Sequence, residues 1–283
     1  MKKQINLQQI ISILCIAISC RIVAENLVEN IHYNVTKRDL AKNAEEYQKA
    51  AVQGDKIAQR KLGSCYELGI GVEKDLKQAV SWYQKAAEQG YAPAQVDLGI
   101  CYEYGKGVDK NVKQAVIWYR KAAEQNDAEA QMYLGFCYEA GIGVEIDLNK
   151  AVEWYRKSAN QGEPSAQVFL GVCYEMGKGV KTDLQQAVKL YQMASKQGYA
   201  PAQDHLGDCY RLGNGVERDL TQAANLYHVA AVQGFLRAQR HLGNCYRWGE
   251  GVERDLEQAV KWFRKAAEQG DVEAQRILEK IFK

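Results

Sequence analysis

Apolar residues recur along most of the chain with the spacing of amphipathic helices. Between residues 56 and 88, alanine, leucine, valine, cysteine and tyrosine fall three or four positions apart, with charged and amide side chains between them. On a helical wheel of about 100° per residue, the positions that barely change between similar segments share one arc. In the first segment this arc holds Ala58, Leu62, Cys65, Tyr66 and Gly69. The pattern therefore predicts helices that bury one face.

The same pattern returns every 36 residues without insertion or deletion. One cysteine marks each copy, at Cys65, Cys101, Cys137, Cys173, Cys209 and Cys245. A constant period of this length is typical of solenoid proteins, in which each unit packs only against its neighbours. The sequence therefore predicts six full copies over residues 58–273, a half copy at 39–57 and a C-terminal cap at 274–283.

Each copy divides into two helical segments separated by a pair of glycines, such as Gly105 and Gly107. A glutamine three residues into the second segment, such as Gln78, is expected to complete a capping box. The segment ends at a glycine, or at Asn126 in the second copy, where asparagine is expected to adopt the left-handed conformation. The second segment begins at an Asp or Asn that can cap its first amides, namely Asp75, Asn111, Asp147, Asp183, Asp219 or Asp255.

These segments predict an all-α fold, a right-handed superhelical α/α solenoid of 36-residue helix-turn-helix repeats. The composition, 47% hydrophobic and 25% charged, is that of a chain that can bury a continuous core. The net charge is only +2, with 37 Lys and Arg against 35 Asp and Glu. This balance gives no basic surface for DNA or RNA, so nucleic acid is not expected as a partner.

The first residues differ from the repeats. A basic start, MKKQINLQQ, precedes an apolar run, IISILCIAIS, that is shorter than the roughly 20 residues a membrane-spanning helix needs. We predict a signal peptide at 1–24, cleaved after Ala24, and a connector at 25–38. The chain is then expected to be periplasmic or secreted in a bacterium, or in the endoplasmic-reticulum lumen of a eukaryote. Lipidation at Cys20 is the alternative, and the one case in which we expect membrane contact.

The consensus of the copies, AQxxLGxCYExGxGVxxDLxQAVxWYxKAAEQG, resembles the Sel-one-like repeat, a relative of the tetratricopeptide repeat. The resemblance runs from about Asp39 to the C-terminus, with alanines, glycines, the capping Asp and the Trp-Tyr pair in register. It implies an adaptor or scaffold and no particular reaction. Cysteine-rich relatives with two cysteines per unit have been linked to β-lactam hydrolysis. This chain has one per unit, which weakens that analogy.

The recurrent cysteine allows three interpretations, namely disulfides, metal ligands or core packing. Equivalent atoms in neighbouring repeats should lie roughly 10 Å apart, beyond the Cα separation of about 7 Å that a disulfide tolerates. No CxxC pair supplies clustered metal ligands. We therefore expect buried thiols, with no metal and no cofactor. His205, His241 and Asp208 suggest a proton relay, but no nucleophile accompanies them, so no catalytic residue is predicted.

Positions that vary between copies fall on a second arc of the first helix, which is expected to line the concave side of the superhelix as a groove. At one of these positions the charge changes sign, from Glu in the first four copies to Arg in the last two. The residues predicted to bind a partner are Ile100, Tyr104, Met132, Tyr133, Phe136, Phe169, Val172, Met176, Arg211, Arg247 and Trp248.

A variable strip with an apolar middle and a polar end favours a non-enzymatic scaffold that binds an extended or helical segment of a peptide or protein partner. Three alternatives stay open at this point. Part of the strip could be packing between adjacent first helices. The protein could instead be a hydrolase of the β-lactamase type, or a cell-envelope protein that binds glycan on its aromatic residues.

Overall fold

The computed structural model describes residues 44–282, and in that range the chain forms α-helices joined by turns, with no strand. The predicted signal peptide and connector, and the start of the half copy, lie outside these residues. The all-α solenoid is confirmed. Its helices are α1 (44–52), α2 (Lys56–Leu68), α3 (Leu76–Glu88), α4 (Ala92–Tyr104), α5 (Val112–Glu124), α6 (Ala128–Ala140), α7 (Leu148–Asn160), α8 (Pro164–Met176), α9 (Leu184–Lys196), α10 (Ala200–Leu212), α11 (Leu220–Val232), α12 (Leu236–Trp248), α13 (Leu256–Glu268) and α14 (Val272–Ile281).

The described residues form two compact units, 44–194 and 195–282. In the first unit α2 to α8 pack in series, each against the helix before it and the helix after it. In the second unit α10 to α14 do the same. Serial packing of this kind is the architecture of a solenoid. Within 44–282 no helix has the length and apolar character needed to cross a membrane.

The second helix of each copy starts at the predicted cap. In α3 the carboxylate of Asp75 accepts hydrogen bonds from the amides of Lys77 and Gln78, at 2.9 and 3.1 Å. The predicted capping box is wrong, because the amide of Asp75 donates to the carbonyl of Tyr66 at 3.0 Å and is not left for the Gln78 side chain. Asn111 makes the same bond to Tyr102, at 2.8 Å. Each of these N-cap residues is therefore hydrogen-bonded to the helix that precedes it.

The ends of the second helices follow the predicted left-handed conformation. Asn126 has φ 69°, where the other copies have glycine with positive φ, so the expectation for this asparagine is confirmed. Its side chain also accepts a hydrogen bond from Nε2 of Gln131 at 3.1 Å and donates to Oε1 of Gln161 at 3.3 Å. These two bonds help to hold a backbone conformation that costs a side-chain-bearing residue free energy.

The two kinds of loop differ in how tightly they pack. After the first helices, a Cβ on Gly107 would lie 2.1 Å from the carbonyl oxygen of Leu76, and one on Gly143 would lie 2.4 Å from that of Val112. After the second helices, a Cβ on Gly90 or Gly162 would meet nothing within 4 Å. The first loops are therefore pressed against the preceding repeat, whereas the second loops border open space.

A glycine and an aromatic ring interlock in every repeat. In the third copy a Cβ on Gly135 would lie 2.7 Å from the ring of Tyr155, which is fully buried. The repeat cysteines are also buried, which confirms their predicted place on the core face. Burial raises the pKa of the Cys65 thiol to about 11, and it is the main cause that raises the pKa of Cys101 to about 12. Both thiols are free.

A buried glutamine joins three successive helices in most copies, a feature that the sequence analysis missed. Nε2 of Gln95 in α4 donates to the carbonyl of Ala87 in α3 at 3.0 Å, and its Oε1 accepts from Gln125, at the end of α5, at 2.8 Å. Gln59, Gln131 and Gln239 make the corresponding bonds. Buried amides are stabilising only when paired in this way.

Candidate partner-binding face

The variable positions form one stripe along each first helix. They are residues 57, 60, 61, 64, 67 and 68 in the first copy and their equivalents every 36 residues, and we call this stripe the variable face. Some of its residues belong to the core, because they are buried, namely Val96, Glu103, Val168, Pro201, Asp204 and His205. The remaining positions are half-buried or exposed in most copies.

In the unit 44–194 the predicted partner-binding residues divide into two groups. Tyr104 is the last residue of α4 and Met176 the last residue of α8. Their side chains are exposed, with relative accessibilities of 45% and 50%. The others are half-buried, namely Ile100, Met132, Tyr133, Phe136, Phe169 and Val172. In the unit 195–282, Trp248 is 60% exposed, while Arg211 and Arg247 are half-buried.

Several half-buried rings of the variable face pack against the core. Tyr133 stacks on Tyr119 with ring centroids 5.0 Å apart, and Phe169 stacks on Tyr155 at 5.2 Å. Phe169 also meets Phe136 at 6.1 Å, which joins α8 to α6. These rings cover the buried tyrosines and contribute to packing between repeats. Exposed Tyr104 and Met176 are therefore the cleaner probes of partner binding.

The change from Glu to Arg along the variable face follows the hydrogen bond of a buried tyrosine. The hydroxyl of Tyr155 donates to Glu139 at 2.8 Å, and the first, second and fourth copies repeat this bond. In the fifth copy the hydroxyl of Tyr227 donates to Asp208 at 2.7 Å. The same hydroxyl oxygen accepts a hydrogen bond from Nε of Arg211 at 3.3 Å.

The sixth copy has Phe263 in place of the tyrosine, and it has no hydroxyl that requires an acid. Arg247 in that copy lies over the ring of Trp248, 4.5 Å from its centroid. In the sixth copy the change of Tyr to Phe coincides with the change of Glu to Arg, and both are visible in the sequence. In the fifth copy Arg211 replaces Glu although Tyr227 is kept, because Asp208 accepts the hydroxyl instead. The coincidence in the sixth copy is the signal by which this contact could have been found.

Most acids on the variable face of unit 44–194 have a cationic partner or a hydroxyl donor. Nε of Arg60 lies 2.6 Å from Oδ2 of Asp97, which joins α2 to α4. Nζ of Lys178 lies 2.7 Å from Glu139, and Nζ of Lys106 lies 3.5 Å from Glu67. Electrostatic contacts thus run between neighbouring repeats, beside the aromatic ones.

A denser polar network lies in the unit 195–282. Asp204 is fully buried, with Nδ1 of His241 2.9 Å from Oδ1 and Nε of Arg237 2.6 Å from Oδ2. Nη2 of Arg237 also lies 2.5 Å from Oδ2 of Asp208. Burial alone would raise the pKa of Asp204, but Arg237 and His241 outweigh it and lower that pKa. Burial, helped by Arg237, lowers the pKa of His205 to about 4.

This network has the residue types of a metal site or a proton relay, and its geometry argues against both. Donor atoms of Asp204, Asp208 and His241 lie within 4.8 Å of one another. However, Arg237 contacts both carboxylates and supplies the positive charge that a metal ion would bring. Asp208 also accepts the hydroxyl of Tyr227 at 2.7 Å and pairs with Arg211 at 3.1 Å, so its carboxylate is already occupied by donors from the protein. The cluster is an internal ion-pair network that joins α10 to α12.

The comparison with protein families decides where this architecture belongs. The Sel1 repeat model matches six consecutive segments, residues 56–91, 92–127, 128–163, 164–199, 200–235 and 236–271. The chain belongs to the Sel1 repeat family. Each matched Sel1 repeat begins at the first residue of a first helix, at α2, α4, α6, α8, α10 and α12.

Solved Sel1 repeat structures resemble the chain over most of its length. A Sel1 repeat protein from Oxalobacter formigenes is 39% identical, with a TM-score of 0.74, over 82% of this chain and 95% of that one. A protective antigen of uropathogenic Escherichia coli strains is 40% identical, with a TM-score of 0.72, over 84% of this chain. The match spans 51% of the length of the Escherichia coli protein. Immunity protein PA5088 from Pseudomonas aeruginosa, 22% identical, shares the fold over 81% of this chain and 84% of that one, with a TM-score of 0.52. No functionally curated protein matches the chain.

Proposed function

We propose that this Sel1 repeat protein is a non-enzymatic scaffold or adaptor that binds a peptide or protein partner on its variable face. One observation carries the proposal. The copies are nearly identical in their core positions but differ on the variable face, where Tyr104 and Met176 expose large apolar surfaces. Exposed apolar side chains of this kind are typical anchors for a partner.

Two further observations support a binding role without catalysis. Stacked first helices offer neighbouring stripes that one extended or helical segment can contact together, and Arg60, Phe136 and Lys178 show that these helices lie side by side. The cluster around Asp204 has catalytic residue types, but Arg237 neutralises it internally.

We also propose that the chain is exported by residues 1–24, which resemble a signal peptide. The description of the Escherichia coli relative as a protective antigen supports an exported location. N-terminal sequencing of the protein from its native host should find Glu25 as the first residue. A chain that still begins at Met1 would contradict export by cleavage, and a lipid on Cys20 would show the alternative route.

The binding proposal is tested by removing apolar surface from one layer of helices at a time. The variant Tyr104→Ser/Met176→Ser changes the variable face. The matched control, Ile117→Ser/Met193→Ser, changes two side chains on second helices that are similarly exposed, at 43% and 48%. Because all four are surface positions, both variants should keep a Tm close to that of the parent.

The readout is crosslinking in the native host followed by mass spectrometry. The face variant should lose a partner that the parent and the control both retain, because a central anchor contributes about 2 kcal/mol or more to binding. If the face variant keeps every crosslinked partner, or if the control loses the same ones, the partner binds elsewhere.

A further inference from the structure

Near one end of the variable face in unit 44–194, one acidic side chain lacks an ion-pair partner among the described residues. Glu129, in the first turn of α6, is exposed and makes no ion pair or hydrogen bond with the described residues. The N-caps of α6 itself and of the next first helix, α8, are also acidic. Asp127 accepts the amide of Ala130 at 2.8 Å, and Glu163 accepts the hydroxyl of Ser165 at 2.7 Å.

The neighbouring carboxylates disfavour the charged form of Glu129. Dehydration by the neighbouring helices, followed by repulsion from Asp97, Asp127 and Glu163, raises the pKa of Glu129 to about 7, with only weak opposition from Arg60. Because the side chain is exposed, a cationic group of a partner can reach it and favour its charged form. The N-terminus of α6 contributes only about half a positive charge, which does not offset three carboxylates.

Glu129 shares its stripe with the apolar part of the variable face. Tyr133 and Phe136 follow it by four and seven residues on the same side of α6, which places them about 6 and 10 Å along the helix axis. A segment that rests on these rings therefore brings its own neighbouring side chains within reach of Glu129.

We propose that the segment bound on this face is a basic amphipathic peptide, whose apolar side chains contact Tyr104, Phe136 and Met176 and whose Lys or Arg contacts Glu129. This inference rests on the proposed function, since it specifies the chemistry of the partner at the same face. Charge complementarity decides between a basic and an acidic peptide, because an acidic peptide would add a further carboxylate to an uncompensated group.

The first test is a selection of displayed random peptides on the parent protein, with Tyr104→Ser/Met176→Ser as the background. Peptides that prefer the parent should combine aromatic or aliphatic residues with an excess of Lys and Arg. Apolar peptides without that excess, or with an excess of acids, would overturn this inference and leave the proposed function intact. If no peptide prefers the parent, both proposals fail.

The second test measures the affinity of a selected peptide for Glu129→Gln and for the control Glu153→Gln, which removes an exposed acid from a second helix. Loss of one surface ion pair should weaken binding by about fivefold in Glu129→Gln, and not in the control. The parent should also lose affinity as the pH falls from one unit above to one unit below about 7, because Glu129 becomes protonated. Glu129→Gln should not show this loss. Equal affinities and equal pH profiles would show that the peptide does not contact Glu129.

Discussion

At the scale of single residues, the buried tyrosine of each repeat explains which charges the edge of the variable face carries. A phenol without access to water needs a hydrogen-bond partner, and Glu139 provides one for Tyr155. Where the hydroxyl is absent, at Phe263, the acid is absent as well and Arg247 takes its place. The charge at this position is thus set partly by the core beneath it.

A double-mutant cycle on this pair should show coupling. Tyr155→Phe should lower the free energy of unfolding by about 1 kcal/mol, because Glu139 keeps its ion pair with Lys178. Glu139→Ala should cost more, about 2 kcal/mol, because it leaves a fully buried hydroxyl without an acceptor. Combining the two changes should cost less than their sum, as measured by urea unfolding. Additive losses would show that the bond does not contribute as described.

Features that depend on one helix could be predicted from the sequence, whereas contacts between helices could not. The place of Cys65 in the core follows from the spacing of apolar residues along α2, and the conformation of Asn126 follows from its alignment with glycines. The prediction of a capping box was wrong because the amide of Asp75 donates to the carbonyl of Tyr66, on another helix. The raised pKa of Glu129 likewise depends on Asp97 and Glu163, which the fold brings near.

At the scale of helices, the ends of the second helices are fixed by backbone conformation and side-chain bonds together. In the first copy Gly90 adopts φ 76° with open space around it. In the second copy Asn126 adopts a similar φ and bonds to Gln131 and Gln161. The two residues therefore adopt the same backbone conformation, one with side-chain hydrogen bonds and one without. Comparing substitutions at both positions separates the two contributions to stability.

Replacing Asn126 with alanine should therefore destabilise the protein more than the same change at Gly90. Gly90→Ala should cost about 1 kcal/mol, the free energy of a left-handed alanine, since the added Cβ meets no atom. Asn126→Ala should cost that amount and the two side-chain bonds as well, whereas Asn126→Gly should lose only the two side-chain bonds, because glycine adopts the left-handed conformation without strain. Chemical denaturation of the three variants measures this. Equal stability of Asn126→Ala and Asn126→Gly would rule out backbone strain as the cause.

At the scale of the whole molecule, the two compact units should respond to acid in opposite directions. His205 has its pKa lowered from 6.5 to about 4, so its contribution to stability is present above 6.5 and lost as the pH falls towards 4. Glu129 has its pKa raised from 4.5 to about 7, so the folded state binds its proton more tightly and gains stability as the pH falls through 7.

Hydrogen exchange, corrected for the intrinsic rate at each pH, should reveal this difference. Between pH values near 7 and near 5, amides of α10 should lose protection while amides of α6 gain it. Glu129→Gln should abolish the gain in α6 and leave the loss in α10 unchanged. A loss of equal size in both units would contradict the assignment of these two groups.

The contrast between the two kinds of loop also determines where the molecule can be modified. Gly107 and Gly143 lie against backbone of the preceding repeat, so a tag or foreign epitope at these turns would have to separate two repeats. Gly90 and Gly162 border open space, so an added segment can leave the surface there without displacing a helix. For fusion proteins and labels, the turns at Gly90 and Gly162 are permissive insertion points, and an insertion there leaves every first helix unchanged.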